Sequence, residues 1–217
     1  MIFAAGFGTR LKPLTDTCPK ALVKVGDKPM LQHTIEHLKQ HGFNEIIINV
    51  HYLGNQIIDF INQHTSFGIR IEISDETDRI LETGGGLLNA QHFFNDGQPF
   101  LVCNADVFTN INLTKFYQSH LAQNAIASLA VRNRKSSRVL LFDEKNSLCG
   151  WQNFKNEEMK FPSVFGDSAA HYFDAHNPIF ADKKYNIIKQ AKQAAFSGYQ
   201  ILSPQIFKHK TRDGIFS

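Results

Sequence analysis

The chain has 217 residues, enough for one substantial α/β domain with a small appendage. It is 42% hydrophobic and 20% charged, an ordinary globular balance whose core needs neither disulfides nor a structural metal. A formal net charge of +3, from 23 Lys+Arg against 20 Asp+Glu, is too weak to mark a nucleic-acid or membrane-surface binder, so neither partner is expected.

Residues 2–5 read as a short buried strand rather than a signal peptide, since no basic segment precedes them and Gly6 follows at once. A helix is expected over 30–41, with Leu31, Ile35 and Leu38 on one face and Gly42 closing it. Residues 45–50, nearly all apolar, read as a strand buried on both faces. A helix over 54–63 turns Ile57, Ile58 and Ile61 inward, and the alternation over 69–74 predicts a strand nearer a sheet edge. Then come a helix at 85–94, a buried strand at 100–103, a helix at 113–121, and strands at 125–131 and 139–142. After Trp151 the order degrades: 153–177 is aromatic and polar without a period, 183–194 reads as helix, 196–202 as strand and 204–208 as a short helical turn. No apolar run reaches the ~20 residues of a membrane span. Cys18, Cys103 and Cys149 form no CxxC pair and fit reduced thiols, so a cytoplasmic location is expected.

The β-α-β-α order predicts an α/β, Rossmann-like fold: a mostly parallel sheet with helices on both faces. It is expected to form a single domain over 1–217, with an irregular insertion at about 152–195. Ligands of such folds gather beyond the carboxyl ends of the strands, where Gly6 and Asp106 lie.

Gly6-Phe7-Gly8-Thr9-Arg10 follows the first strand. Glycines let a backbone fold tightly and turn N–H groups onto phosphate oxygens, although these two alone would serve equally as a plain turn. Leu11 breaks the dinucleotide fingerprint, and no Gly-Lys-Ser/Thr follows to make a Walker A loop. Pro13 and Pro19 keep a helix from starting, so the loop stays open from Gly6 to Lys20 with a cation, Arg10 or Lys20, toward each end. A triphosphate suits it: amides for some oxygens, Arg10 for a bidentate grip, Lys20 as a point charge. Asn104-Ala105-Asp106 ends another strand, where a carboxylate would reach a magnesium ion or simply form a turn. Leu81-Glu82-Thr83-Gly84-Gly85-Gly86 permits close approach of a flat ligand, or is a flexible helix entry.

Residues 4–23, reading Ala-Ala-Gly-x-Gly-Thr-Arg, then Pro-Leu-Thr, then Pro-Lys-Ala-Leu-Val, closely resemble the fingerprint of sugar-1-phosphate nucleotidyltransferases, or pyrophosphorylases. The resemblance implies a glycosyltransferase-A-like sheet and nucleotide contacts from Ala4, Ala5, Gly6, Gly8, Thr9, Arg10 and Lys20. It implies Glu82, Gly85 and Asn104 at the nucleoside, Lys20 at the reacting phosphates, and Asp106 as a ligand of Mg2+. Residues 196–199 match a sugar-contacting strand, which assigns Ser197 and Gly198 to the sugar, and Gly150 matches a second sugar-side position. There the family often has a Glu followed by Lys or Pro, whereas this chain has Gly150-Trp151-Gln152-Asn153.

Other features carry less. His33, His37 and His41 have a spacing that could suggest zinc, but a solvated face opposite Leu31, Ile35 and Leu38 is favoured. Cys103 is expected to be inert in its buried strand. Phe161, Phe165, Tyr172 and Phe173 are expected in the core, with an aromatic lid or subunit contact as the alternative.

The expected reaction is attack by a sugar-1-phosphate oxygen on the α-phosphorus of a nucleoside triphosphate, with pyrophosphate leaving. UTP with N-acetylmuramate-1-phosphate is favoured over GTP with mannose-1-phosphate. A catalytically impaired nucleotide-sensing paralogue would usually lack Arg10, Lys20 or Asp106, and a glycosyltransferase using a finished nucleotide sugar would not need the segment from Gly6 to Lys20. The family also supplies a late acidic metal ligand near a Val/Ile-Gly-Thr segment. Asp213-Gly214-Ile215-Phe216-Ser217 does not match it, so the sequence is expected to be an incomplete view of a longer protein.

Overall fold

Short apolar runs that alternate with amphipathic helices set the order of the chain, and the computed structural model describes residues 1–161 and 190–209 of it. The elements are β1 (Ile2–Phe3), β2 (Lys24–Val25), β3 (Lys28–Pro29), α1 (Met30–Gln40), β4 (Glu45–Val50), α2 (Gly54–Gln63), β5 (Arg70–Asp75) and α3 (Glu82–Asn89). There follow β6 (Phe100–Asn104), α4 (Leu113–Gln123), β7 (Ala127–Arg132), β8 (Arg138–Phe142), β9 (Leu148–Asn153), β10 (Glu158–Lys160) and β11 (Lys192–Leu202). They fall into two compact units, Met1–Ser128 with Gly198–Ser217, and Leu129–Ser197.

In the first unit β1 pairs in parallel with both β4 and β6, Ile2 standing opposite Ile48 and Cys103. β5 runs parallel to β4 at the end of the strand order, the edge that its alternating pattern predicts. Tyr199–Leu202 of β11 pairs antiparallel with β6. Successive side chains point to opposite faces, so each strand feeds two cores. Met1, Ile47, Phe100, Val102 and Leu202 pack with Ala90 and Phe94, just beyond α3, and with Leu87 of α3. On the other face the Tyr199 hydroxyl shares hydrogen bonds with Cys103 and with Thr34 of α1. Burial there pushes the Cys103 thiol up to about 12, which keeps it inert.

The histidines of α1 are half-buried rather than fully solvated. His33 packs edge-on against Phe108, with ring centroids 5.1 Å apart. His37 meets the His41 ring at 5.0 Å, and His41 Nδ1 lies 2.9 Å from Thr114 Oγ1. The segment after β6 meets this side of α1 and leaves the three histidines half-buried, a long-range contact invisible in the helix's own period. Among the described residues no group of three or more His, Cys, Asp or Glu could hold a metal ion.

The second unit is antiparallel, β9 pairing with β8 and β10 with β9. Where order was expected to degrade after Trp151, residues 148–160 form a hairpin, its turn at 154–157 braced by Asn153 Oδ1 accepting from the Lys155 amide, and 162–177 lies outside the described residues. The helix expected over 183–194 is a strand from Lys192 onward, where Lys192–Ala194 pairs with β8, and 183–189 lies outside the described residues. Lys-Gln-Ala-Ala favours helix locally, and sheet pairing overrides that weak preference. Phe161 packs where a Cβ on Gly150 would come within 3.0 Å, while Phe165, Tyr172 and Phe173 lie outside the described residues. None of the described helices is long and apolar enough to cross a membrane.

His120 of α4 is 1% exposed. Its Nε2 lies 3.0 Å from Ser203 Oγ and its Nδ1 2.8 Å from Ser128 Oγ. Because the Ser203 hydroxyl donates to the Ala125 carbonyl, His120 Nε2–H must donate to Ser203, leaving Nδ1 to accept from Ser128. Burial lowers the pKa of this neutral ring below its usual 6.5, and burial together with neighbouring His41 does the same to His37. The unfolded chain then takes up protons below about pH 6.5 that the folded protein refuses, so stability falls as pH drops through that value. Thermal melts should show Tm declining as pH falls from about 7 toward the folded pKa of the ring, with His120→Gln flattening part of that decline.

Candidate active site

The loop after β1 is built by its glycines and prolines. Gly8 has φ 64°, in the left-handed region, and a Cβ there would lie 2.9 Å from Thr15 Cγ2 and 3.1 Å from Lys20 Cβ. The buried Thr15 hydroxyl donates to the Gly8 carbonyl at 2.9 Å, closing the loop on itself. Instead of one helix, the segment forms three short 3-10 turns, Thr9–Leu11, Leu14–Asp16 and Lys20–Leu22. Tyr52 Oη donates to the Asp16 carbonyl at 3.0 Å and Gln56 Nε2 to that of Thr17 at 3.1 Å, so the segment after β4 holds the loop from outside. These contacts bring Lys20, the last cation of the loop, against Asp106 just beyond β6.

Lys20 Nζ and Asp106 Oδ2 are in direct contact, with the two side chains 25% and 32% exposed. They stand at one end of an open cleft that is also lined by Ala4, Ala5, Gly6, Glu82 and Asn104. These expected site residues thus meet beyond the carboxyl ends of β1, β4 and β6, and a cation, a carboxylate and backbone amides are all to hand. Gly8, Thr9, Arg10 and Gly85 do not line this cleft. Arg10 is exposed on the first 3-10 turn, and Gly85 is buried inside α3. Glu82 has φ 61°, an uncommon backbone for a side chain other than glycine, at the first residue of α3. Of the residues expected at the sugar, Gly198 has φ 75° and leaves room for Val107 Cγ2, which would lie 2.6 Å from an added Cβ. Ser197 and Gly150 belong to the second unit. Ser197 Oγ is buried without a partner among the described residues, and Gly150 is packed by Phe161 and Leu141.

Two polar residues of the cleft escaped the sequence reading. Asn49, 2% exposed, and Glu76, 3% exposed, both line it from the ends of β4 and β5. Asn49 Nδ2 donates to Glu76 Oε1 at 2.9 Å. Gly86 lies so close that a Cβ would stand 2.7 Å from Glu76 Oε1, which assigns a packing reason to the last glycine of the run.

A family model described as nucleotidyl transferase matches residues 1–139, more than half of the chain. The chain belongs to this nucleotidyl transferase family. Over 119 residues it is 46% identical to the N-acetylmuramate alpha-1-phosphate uridylyltransferase of Neisseria meningitidis serogroup B, a match covering 55% of this chain and 51% of that protein. Over 150 residues it is 35% identical to the mannose-1-phosphate guanylyltransferase catalytic subunit beta of Dictyostelium discoideum, covering 67% of this chain and 42% of that one. The chain thus spans about half the length of the curated relatives it matches, or less. Its fold is shared with a putative glucose-1-phosphate thymidylyltransferase from Bacillus anthracis, with TM-score 0.71 and 16% identity over 96% of this chain and 72% of that one. HddC from Yersinia pseudotuberculosis matches with TM-score 0.70 and 23% identity over 100% of this chain and 80% of that one.

The one signal that could have revealed the Asn49–Glu76 pair is Asn49 itself, a polar residue in the otherwise apolar end of β4. The glycines differ in what they tolerate. Gly86→Ala should destabilise by about 1–3 kcal/mol, because the new methyl group displaces a buried carboxylate. Gly6→Ala, with nothing within 4 Å of its added Cβ, should change stability by no more than about 0.5 kcal/mol. Urea unfolding of the two variants against the parent checks the contrast.

Proposed function

We propose that the protein transfers a nucleotidyl group from a nucleoside triphosphate to a sugar-1-phosphate and releases pyrophosphate. The observation that carries this reading is the meeting of Lys20 and Asp106 at a cleft floored by the Ala4–Gly6 backbone. UTP with N-acetylmuramate-1-phosphate is the preferred pair, supported by 46% identity to a uridylyltransferase against 35% to a guanylyltransferase. GTP with mannose-1-phosphate is the second reading. Arg10, Lys20 and Asp106 are all present, which favours an active enzyme over a nucleotide-sensing paralogue. The reaction belongs to the cytoplasm.

In this reading an oxygen of the sugar phosphate forms a bond to the α-phosphorus, and the bond from that phosphorus to the bridging oxygen of the leaving pyrophosphate breaks. The attacking phosphate is already anionic, so no strong general base is required. The protein's work is positioning and charge neutralisation. Ala4 lines the nucleotide's side of the cleft with its own amide held by Asn49, and the amides of Ala5, Gly6, Gly8 and Thr9 receive phosphate oxygens. Glu82 and Asn104 face the nucleoside, with Gly85 supporting them from inside α3, and Gly198 faces the sugar. Lys20 leaves Asp106 for the reacting phosphates, and exposed Arg10 folds onto the departing pyrophosphate. Mg2+ commonly binds one or two carboxylates together with substrate phosphates, and the partly exposed Asp106 carboxylate fits that donor set. Asp106 and the nucleotide's own oxygens would hold the ion, which when bound offsets phosphate charge.

Incubating the protein with Mg2+, the four common nucleoside triphosphates and a panel of sugar-1-phosphates should release pyrophosphate for at least one pair. Release from none of them would overturn the assignment. Asp106→Asn should lower turnover by ~10²–10³-fold with an unchanged melting temperature. Lys20→Ala and Arg10→Ala should each lower turnover more than Lys12→Ala does, since Lys12 is an exposed partner of Asp16. Equal small losses in all three would sink the phosphate-cradling role of the loop.

A further inference from the structure

A buried carboxylate needs partners that match its acceptors, and Glu76 has them on two segments of the cleft. Its Oε1 accepts from Asn49 Nδ2 at 2.9 Å, and its Oε2 accepts from the Leu81 amide at 3.1 Å. Asn49 Oδ1 in turn accepts from the Ala4 amide at 2.8 Å. Ala4 is the first residue after β1, where the glycine loop begins, and Leu81 immediately precedes Glu82 and α3. One carboxylate therefore ties the phosphate side of the cleft to its opposite wall.

The geometry points to Glu76 as a positioning residue: acting through Asn49, it holds the Ala4–Gly6 backbone and the Leu81–Glu82 segment in the arrangement that receives the nucleotide. The polarity of the chain of bonds admits one solution. Ala4 and Leu81 offer fixed N–H donors, so Asn49 must turn its oxygen to Ala4 and its amino group to residue 76. Only a carboxylate at 76 accepts from both sides. A glutamine there sets its own amino group against either Asn49 or Leu81, and an aspartate at 49 sets two carboxylates against each other. The double substitution restores every bond with the same total charge. The aspartate at position 49 accepts from Ala4 and from the amino group of the glutamine at position 76, whose oxygen accepts from Leu81.

This inference rests on the nucleotidyl-transfer reading for its catalytic consequence, and the test separates the two. Glu76→Gln, Asn49→Asp and the double variant are compared with the parent for nucleotide KM and kcat. Hydrogen–deuterium exchange of the peptide spanning residues 4–20 is followed in parallel, without substrate. Each single variant should raise the nucleotide KM roughly tenfold to a hundredfold, with a smaller effect on kcat, and should speed exchange in that peptide. The double variant should recover both. Single variants with parental KM and exchange, or a double variant no better than the worse single one, would overturn the proposal. If the parent turns over no substrate pair, the transfer reading fails, and the exchange rates still decide whether Glu76 holds the loop.

Discussion

Ile2 and Phe3 sit in parallel register between Ile48 and Asn49 on one side and Cys103 and Asn104 on the other. Parallel strands end at a common edge, so the residues that follow them must emerge together. Ala4, Asn49 and Ala105 all line the cleft for that reason, and Asp106 arrives one residue further on. The strand is short, yet both of its edges are paired and Ile2 is fully buried. Without this pairing the glycine loop and the carboxylate would have no shared location. The antiparallel Tyr199–Leu202 segment then closes β6 on its far side and brings Gly198 against Val107, next to the carboxylate.

The cleft collects charge and polarity at that edge, and the groups differ in how firmly they are held. Lys20 and Asp106 are partly exposed, and a pair of this kind contributes little to stability. Such a pair can open at little cost in stability. Asn49 and Glu76 are the opposite case, buried and satisfied by fixed donors. Breaking such a network leaves desolvated groups unpaired, which makes it rigid. The cleft thus combines a rigid buried floor with a partly exposed ion pair.

Much of this was legible locally. Helices at 54–63 and near 30–41 and the strand at 45–50 carry their periods in their own residues, and β1, β4 and β6 follow from apolar runs too short for helices. The loop from Gly6 to Lys20 was legible because glycine and proline restrict the backbone at their own positions. The β9–β10 hairpin was obscured by aromatic and polar residues that do not alternate, and the start of β11 by residues that favour helix in isolation. The partial burial of the α1 histidines was not legible because nothing in the helix announces that Phe108 and Thr114 will contact them.

The sequence by itself determined the family-like loop, the strand that delivers Asp106 and the α/β order, since each depends on residues adjacent in the chain. Tertiary structure alone decided that Lys20 meets Asp106 across 86 residues. It also decided that Glu76 is a buried anchor, through bonds linking positions 27 and 45 residues apart. Local sterics are written in neighbouring side chains. Burial and hydrogen-bond partnership arise only when strand pairing brings distant residues together and excludes water from between them.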